Sequence, residues 1–190
     1  MKIILLLCII AFTVLTALFL YIIRPEWENK DSHQTAKGRI PIAVLGDSDS
    51  HIYRDTHLQV RRGGEFHYVT FQWTEILALL RGNEADLGQY GHWGTRGTVS
   101  RIRSKLGLDS RTPRKQDFQY NFAFSGATCK QLAPDSYQHQ STELVRLMDK
   151  DPDYWRNGLV IIRIGINDFG QLPALETYAG GNPGTESLQF

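Results

Sequence analysis

Two runs of this chain, Ile40–Leu45 (IPIAVL) and Leu159–Ile164 (LVIIRI), are apolar at almost every position. Each stops abruptly in a cluster of small and polar residues. A strand with one wet face alternates apolar and polar side chains, whereas an unbroken apolar run needs cover on both faces. That requirement points to a parallel sheet with helices packed on either side. Pro41 is compatible with the first position of such a strand.

The segments between these runs have the other period. Trp73, Ile76, Leu77 and Leu80 recur at helical spacing and predict a helix over Phe71–Leu80, capped by Thr70 and ended by Gly82. Leu144, Val145, Leu147 and Met148 predict a second helix over Glu143–Lys150, opened by Ser141 or Thr142. Between the two helices, Phe118–Phe124 alternates as Phe-Gln-Tyr-Asn-Phe-Ala-Phe and reads as a further strand. The order is strand, helix, strand, helix, strand, which implies parallel strands joined by crossovers.

Residues 83–115 are punctuated by Gly88, Gly91, Gly94 and Gly97 and read as a long loop, with a short helix near Thr98–Leu106. Its aromatic residues suit either a substrate wall or a small surface cluster. Arg96, Arg101, Arg103, Lys105, Arg111, Arg114 and Lys115 make the region basic. A solvated face is the simpler reading, with anionic headgroups or an acidic polymer as the alternative.

At the other end of the chain, Ile3–Ile23 holds 21 residues without a charge, Gly or Pro. As a helix it would span roughly 31 Å, close to the thickness of a bilayer core. The run exceeds a usual signal-peptide core and lacks a clear cleavage site. Residues 1–23 therefore read as a transmembrane signal-anchor, with a cleaved signal peptide as the alternative. Residues 24–39 read as a polar linker, and residues 40–190 as one domain. The expected location is membrane-anchored with the domain outside the cytoplasm, or else secreted or periplasmic. Without Lys2, the chain carries 20 basic and 20 acidic residues, so no global charge directs it to nucleic acid.

The three strand ends carry the chemistry. They are Gly46-Asp47-Ser48, Ser125-Gly126-Ala127-Thr128 and Gly165-Ile166-Asn167-Asp168. Each alone also reads as an ordinary turn. In a parallel sheet all three would meet beyond the carboxyl ends of the strands, where open α/β folds bind ligands. There Ser48 offers a hydroxyl. Gly126 lets a backbone N–H approach a bound oxygen, and Asn167 offers an amide donor. The Ser48 N–H is a third donor. Donors converging beside a hydroxyl form an oxyanion hole for acyl transfer.

VLGDSDS, NFAFSGAT and IRIGIND resemble the first three blocks of the SGNH hydrolases, also called GDSL esterases and lipases. The resemblance covers about residues 40–169. It implies Ser48 as nucleophile and Gly126 and Asn167 as oxyanion donors. It also implies a flavodoxin-like α/β/α sandwich with a parallel sheet of about five strands, no metal or organic cofactor, and ester hydrolysis. The substrates implied are ester-containing small molecules, lipids or acylated glycans.

One part of the pattern is missing. The family's base is a His in an Asp-x-x-His block near the carboxyl end, and here no His follows His139. A serine hydroxyl needs a base within hydrogen-bond reach. His51 is set aside as a substitute, because it lies on the same turn as Ser48 and would need a separate orienting carboxylate. His57, His67 and His92 are more remote still. The expectation is therefore a C-terminally incomplete hydrolase, inactive by itself. The alternative is a non-catalytic, membrane-anchored module that binds an acylated ligand or polysaccharide.

Overall fold

A computed structural model describes residues 2–23, 38–57, 64–106, 108, 110–134 and 138–169. Most of the expected linker and the glycine-rich tail lie outside them. The domain is built on β1 (Ile40–Gly46), which pairs in parallel with β5 (Leu159–Arg163) from Ile42↔Leu159 to Gly46↔Arg163. On its other edge β1 pairs in parallel with the short β2 (Ala85–Asp86) through Ile40 and Pro41. The strand order is β2-β1-β5. Pro41 sits second in β1 and is buried.

The expected strand over Phe118–Phe124 is two pieces. Its first residue closes β4 (Lys115–Phe118), which pairs antiparallel with β3 (Tyr90–Trp93) away from the main sheet. A turn at Gln119-Tyr120 follows, and residues 121–124 then run beside β1. The Val44 N–H donates to Tyr120 O at 2.9 Å, and the Phe122 N–H donates to Val44 O at 2.7 Å. The turn forms because the Arg111 guanidinium gathers two carbonyls, Gln119 O at 2.5 Å and Asn121 O at 2.7 Å. It also lies over the Phe122 ring at 4.2 Å. Alternation in sequence gives no sign of that distant cation.

Side chains of β1 alternate between two cores. Ala43 and Leu45 pack with Tyr120, Phe122, Leu144, Leu147 and Trp155, beneath α4 (Gln140–Lys150) and α5 (Pro152–Trp155). Ile42 and Val44 pack with Ala85, Leu87 and Ala123, against Trp73, Leu77 and Ala78 of α2 (Trp73–Arg81). Helices thus cover both faces, as the unbroken apolar run requires.

Several expectations change. The cap of α2 is Gln72, whose side chain accepts from the Trp73 N–H while Glu75 returns a bond to the Gln72 N–H; Thr70 bonds instead to Phe66 O. Ile76 and Leu80 are exposed, because the narrow sheet reaches only Trp73, Leu77 and Ala78. The second helix starts at Gln140 with His139 as its cap. β5 was expected to be buried, yet Leu159, Val160 and Ile162 are exposed, because among the described residues β5 pairs only with β1. The sheet accordingly has three strands there, fewer than the five implied by resemblance.

The long insert is not a plain loop. It holds β2, β3 and α3 (Gly97–Lys105), the last within a residue of the predicted helix. Nor is its basic set a solvated face throughout, since Arg103 and Lys115 are buried.

At the amino end, Lys2–Ile23 forms α1, and its described side chains are exposed except for the half-buried Ile22. No helix among the described residues is long and apolar enough to cross a membrane, so the transmembrane expectation is not supported there. Arg103 donates to Ile22 O at 2.7 Å, placing a cation at the negative end of the α1 dipole.

Candidate active site

The three clusters singled out in the sequence lie at the carboxyl ends of adjacent chain segments. β1 ends in a tight turn, in which Asp47 O accepts the N–H groups of Ser50 and His51, both at 3.2 Å. Asp47 is buried, and its Oδ1 accepts the Asp49 N–H at 2.9 Å. Ser48 sits half-buried on this turn. Gln72 donates from Nε2 to both Ser48 O and His51 O at 3.3 Å, so the cap of α2 also fixes the turn.

Beneath the turn, Gly46 is squeezed between strands. A Cβ there would lie 2.5 Å from Arg163 O. Its N–H and carbonyl are bracketed by the amide of Gln140, at 2.7 and 2.8 Å, from the start of α4. Gln140 is 1% exposed, so this pairing replaces water for both groups.

The segment 121–124 delivers Ser125 and Gly126 beside β1, with the Phe124 N–H on Gly46 O at 3.3 Å. Gly126 has φ +84, a conformation that favours glycine, and it is exposed with open space where a Cβ would be. The third cluster docks onto this same turn. Asn167, in α6 (Ile166–Phe169), donates from Nδ2 to Ala127 O at 2.7 Å, and Asp168 accepts the Cys129 N–H at 2.9 Å. Arg163 reaches Asp49 on the first turn at 3.2 Å. The turns bearing Ser48, Gly126 and Asn167 are therefore laced together at one end of the sheet.

A family model described as GDSL-like Lipase/Acylhydrolase matches residues 42–182, well over half of the chain. The chain belongs to that family. No curated protein and no solved structure matches it. For a GDSL-like acylhydrolase, the family-level chemistry is hydrolysis of esters. The α/β build with a parallel sheet agrees with the membership.

One arrangement in this GDSL-like chain was not foreseen. His51 lies between a carboxylate and a hydroxyl, with Nε2 at 2.9 Å from Asp55 Oδ2 and Nδ1 at 2.9 Å from Ser125 Oγ. Asp55 places beside His51 the separate carboxylate that a substitute base would need, and the hydroxyl the ring meets is that of Ser125, not Ser48. Spacing four residues apart was the only signal, and it is weak outside a helix. His51 and Asp55 are both buried. Burial pushes the His51 imidazolium pKa down despite the opposing bond from Asp55, so the ring is neutral at pH 7. Burial opposes the Asp55 charge, but bonds from His51, His57 and Gln116 outweigh it and hold the carboxyl below its usual range.

Next to this pair lies a buried ion pair. Lys115 Nζ is 3.0 Å from Asp117 Oδ2 and also donates to Ala123 O. Asp117 accepts from Asn121 Nδ2 at 3.0 and 3.1 Å, and the same amide reaches Ser50 O at 2.7 Å. These bonds tie 121–124 to the β1 turn.

The other histidines stand apart. His57 and His92 meet at 2.9 Å on the surface, His67 packs on Tyr68, and His33 lies outside the described residues. Among the described residues no cluster of three or more His, Cys, Asp or Glu is placed to hold a metal.

Proposed function

We propose that the protein is a serine ester hydrolase in which Ser48 is the nucleophile and the Gly126 N–H, the Asn167 amide and the Ser48 N–H receive the oxyanion. The observation that carries this reading is the joining of the Gly126 and Asn167 turns, by the 2.7 Å bond from Asn167 Nδ2 to Ala127 O, at the end of the sheet where β1 delivers Ser48. That bond uses one amide hydrogen of Asn167 and orients the other. The Gly126 N–H makes no hydrogen bond among the described residues. Donors held in place before the reaction stabilise a tetrahedral oxyanion without reorganising. Losing one such donor typically costs about 100- to 1,000-fold in turnover.

The substrates proposed are esters of small molecules, lipids or acylated glycans. No cofactor is invoked. The test is hydrolysis of p-nitrophenyl acetate by the protein and by Ser48→Ala, with little or no turnover through Ser48 expected, because the histidine block that would supply its base is absent from this sequence. Clear activity that vanishes in Ser48→Ala would overturn that expectation.

Membrane attachment through Ile3–Ile23, with the domain outside the cytoplasm, belongs to the same proposal. It rests on the 21-residue uncharged run. Retention of the expressed protein in the membrane pellet after alkaline carbonate extraction is the expected result. Full release into the supernatant would rule the anchor out.

A further inference from the structure

His51 occupies a position that a purely packing role does not require. Asp55 is oriented on both oxygens: Oδ1 accepts the His57 N–H at 2.9 Å and the Gln116 N–H at 3.0 Å, while Oδ2 is left to His51. On the other side of the ring, Nδ1 receives the Ser125 N–H at 3.3 Å as well as the Ser125 hydroxyl at 2.9 Å. A backbone N–H can only donate. Nδ1 therefore carries the lone pair, and the ring proton is on Nε2, directed at Asp55. The Ser125 hydroxyl is left to donate to Nδ1. That is the protonation pattern a general base needs toward a hydroxyl, with a carboxylate steadying the imidazolium that forms.

The surroundings suit a reacting serine. Ser125 is half-buried, and Gly126 beyond it is exposed, faces open space and leaves its N–H unbonded among the described residues. A backbone N–H just after a nucleophile is a ready oxyanion donor.

We propose that Ser125 is a nucleophile in its own right, activated by His51 and oriented through Asp55, and that it accepts acyl groups from small esters. Ser125 Oγ bonds to the ester carbonyl carbon as its proton passes to His51 Nδ1. The bond from that carbon to the alcohol oxygen then breaks, and Nδ1–H protonates the departing alkoxide. Water repeats the exchange on the acyl-serine, releasing the carboxylic acid and restoring Ser125. This inference does not depend on Ser48.

The test is covalent labelling of the full 190-residue chain in mild detergent with a fluorophosphonate, followed by tryptic mapping. Ser48 falls on residues 40–54 and Ser125 on residues 116–130, so the two readings succeed or fail separately. The expected result is an adduct on Ser125, with its rate cut about 100-fold or more in His51→Gln, the low end of a general base's contribution. Near-UV circular dichroism checks that the variant is folded, and Asp55→Asn gives a second, independent loss of rate. The Ser125 rate should stay flat from pH 8 to below 6.5, the ordinary imidazole value, because the ring, facing Asp55, Lys115 and Asp117, takes its proton late. Absence of a Ser125 adduct on the folded protein overturns the proposal. So does a Ser125 rate within threefold of the parent in folded His51→Gln.

Discussion

Replacing Asp117 by Asn tests the buried network that sets the Ser125 segment beside β1. Asp117 is wholly buried and Lys115 is 1% exposed. Burial lowers the Lys115 pKa to about 8, with Arg111 pushing the same way, even though Asp117 raises it. Without Asp117, the ammonium would retain Ala123 O as its described acceptor. Breaking a buried ion pair at one partner costs about 3–5 kcal/mol. The lysine has an escape, because it can shed its proton. From a pKa of about 8, that costs about 1.4 kcal/mol at pH 7, one pH unit below. The rest of the loss comes from the Asn121 and Phe118 donors, which now face an amide in place of a carboxylate.

The sign of the pH dependence follows. In the parent, the unfolded chain holds the Lys115 proton and the folded one does not between pH 8 and about 10.5, so the Lys115 contribution to stability rises with pH in that window. In Asp117→Asn the folded pKa falls further and the window opens below pH 7. The destabilisation should therefore be about 1.4 kcal/mol smaller at pH 9 than at pH 7. Urea unfolding followed by tryptophan fluorescence measures both values. A loss below 1 kcal/mol at pH 7, or an equal loss at both pH values, would refute this account of the network.

Gly46→Ala should lower stability by at least 1–3 kcal/mol, the usual cost of overpacking, because its Cβ would meet Arg163 O at 2.5 Å; a thermal melt reads this. Gln140→Leu leaves the Gly46 N–H without its partner and should cost about 1–3 kcal/mol in urea unfolding. His51 is buried with its pKa lowered, so the unfolded chain takes up a proton first as pH falls through about 6.5. Stability should fall toward acid by up to ~1.4 kcal/mol per pH unit, and comparison with His51→Gln, which lacks the slope, isolates it.

Period and punctuation made much of the fold legible. An apolar run that cannot face water dictated β1 with helices on both faces, and the helical spacings placed α2 and α4 to within three residues at each end. The clusters after the runs marked the end of the sheet where the turns bearing Ser48, Gly126 and Asn167 are laced together. Local pattern failed where burial is decided by remote partners. Gln119, Tyr120 and Asn121 are all buried, although alternation would turn Gln119 and Asn121 to water. Arg111, Asp117 and Ser50 satisfy that backbone and the Asn121 amide from elsewhere in the chain.

The sequence by itself determined the class of fold, the family and the three turns that gather at one end of the sheet, because hydrophobic period and turn residues are local properties. Only the tertiary structure decided which groups meet. His51 and Ser125 are 74 residues apart, and their contact follows from parallel pairing between residues 121–124 and β1, which brings two loop ends to one edge of the sheet. A hydrogen bond acts over about 3 Å, and no spacing along the chain encodes that proximity.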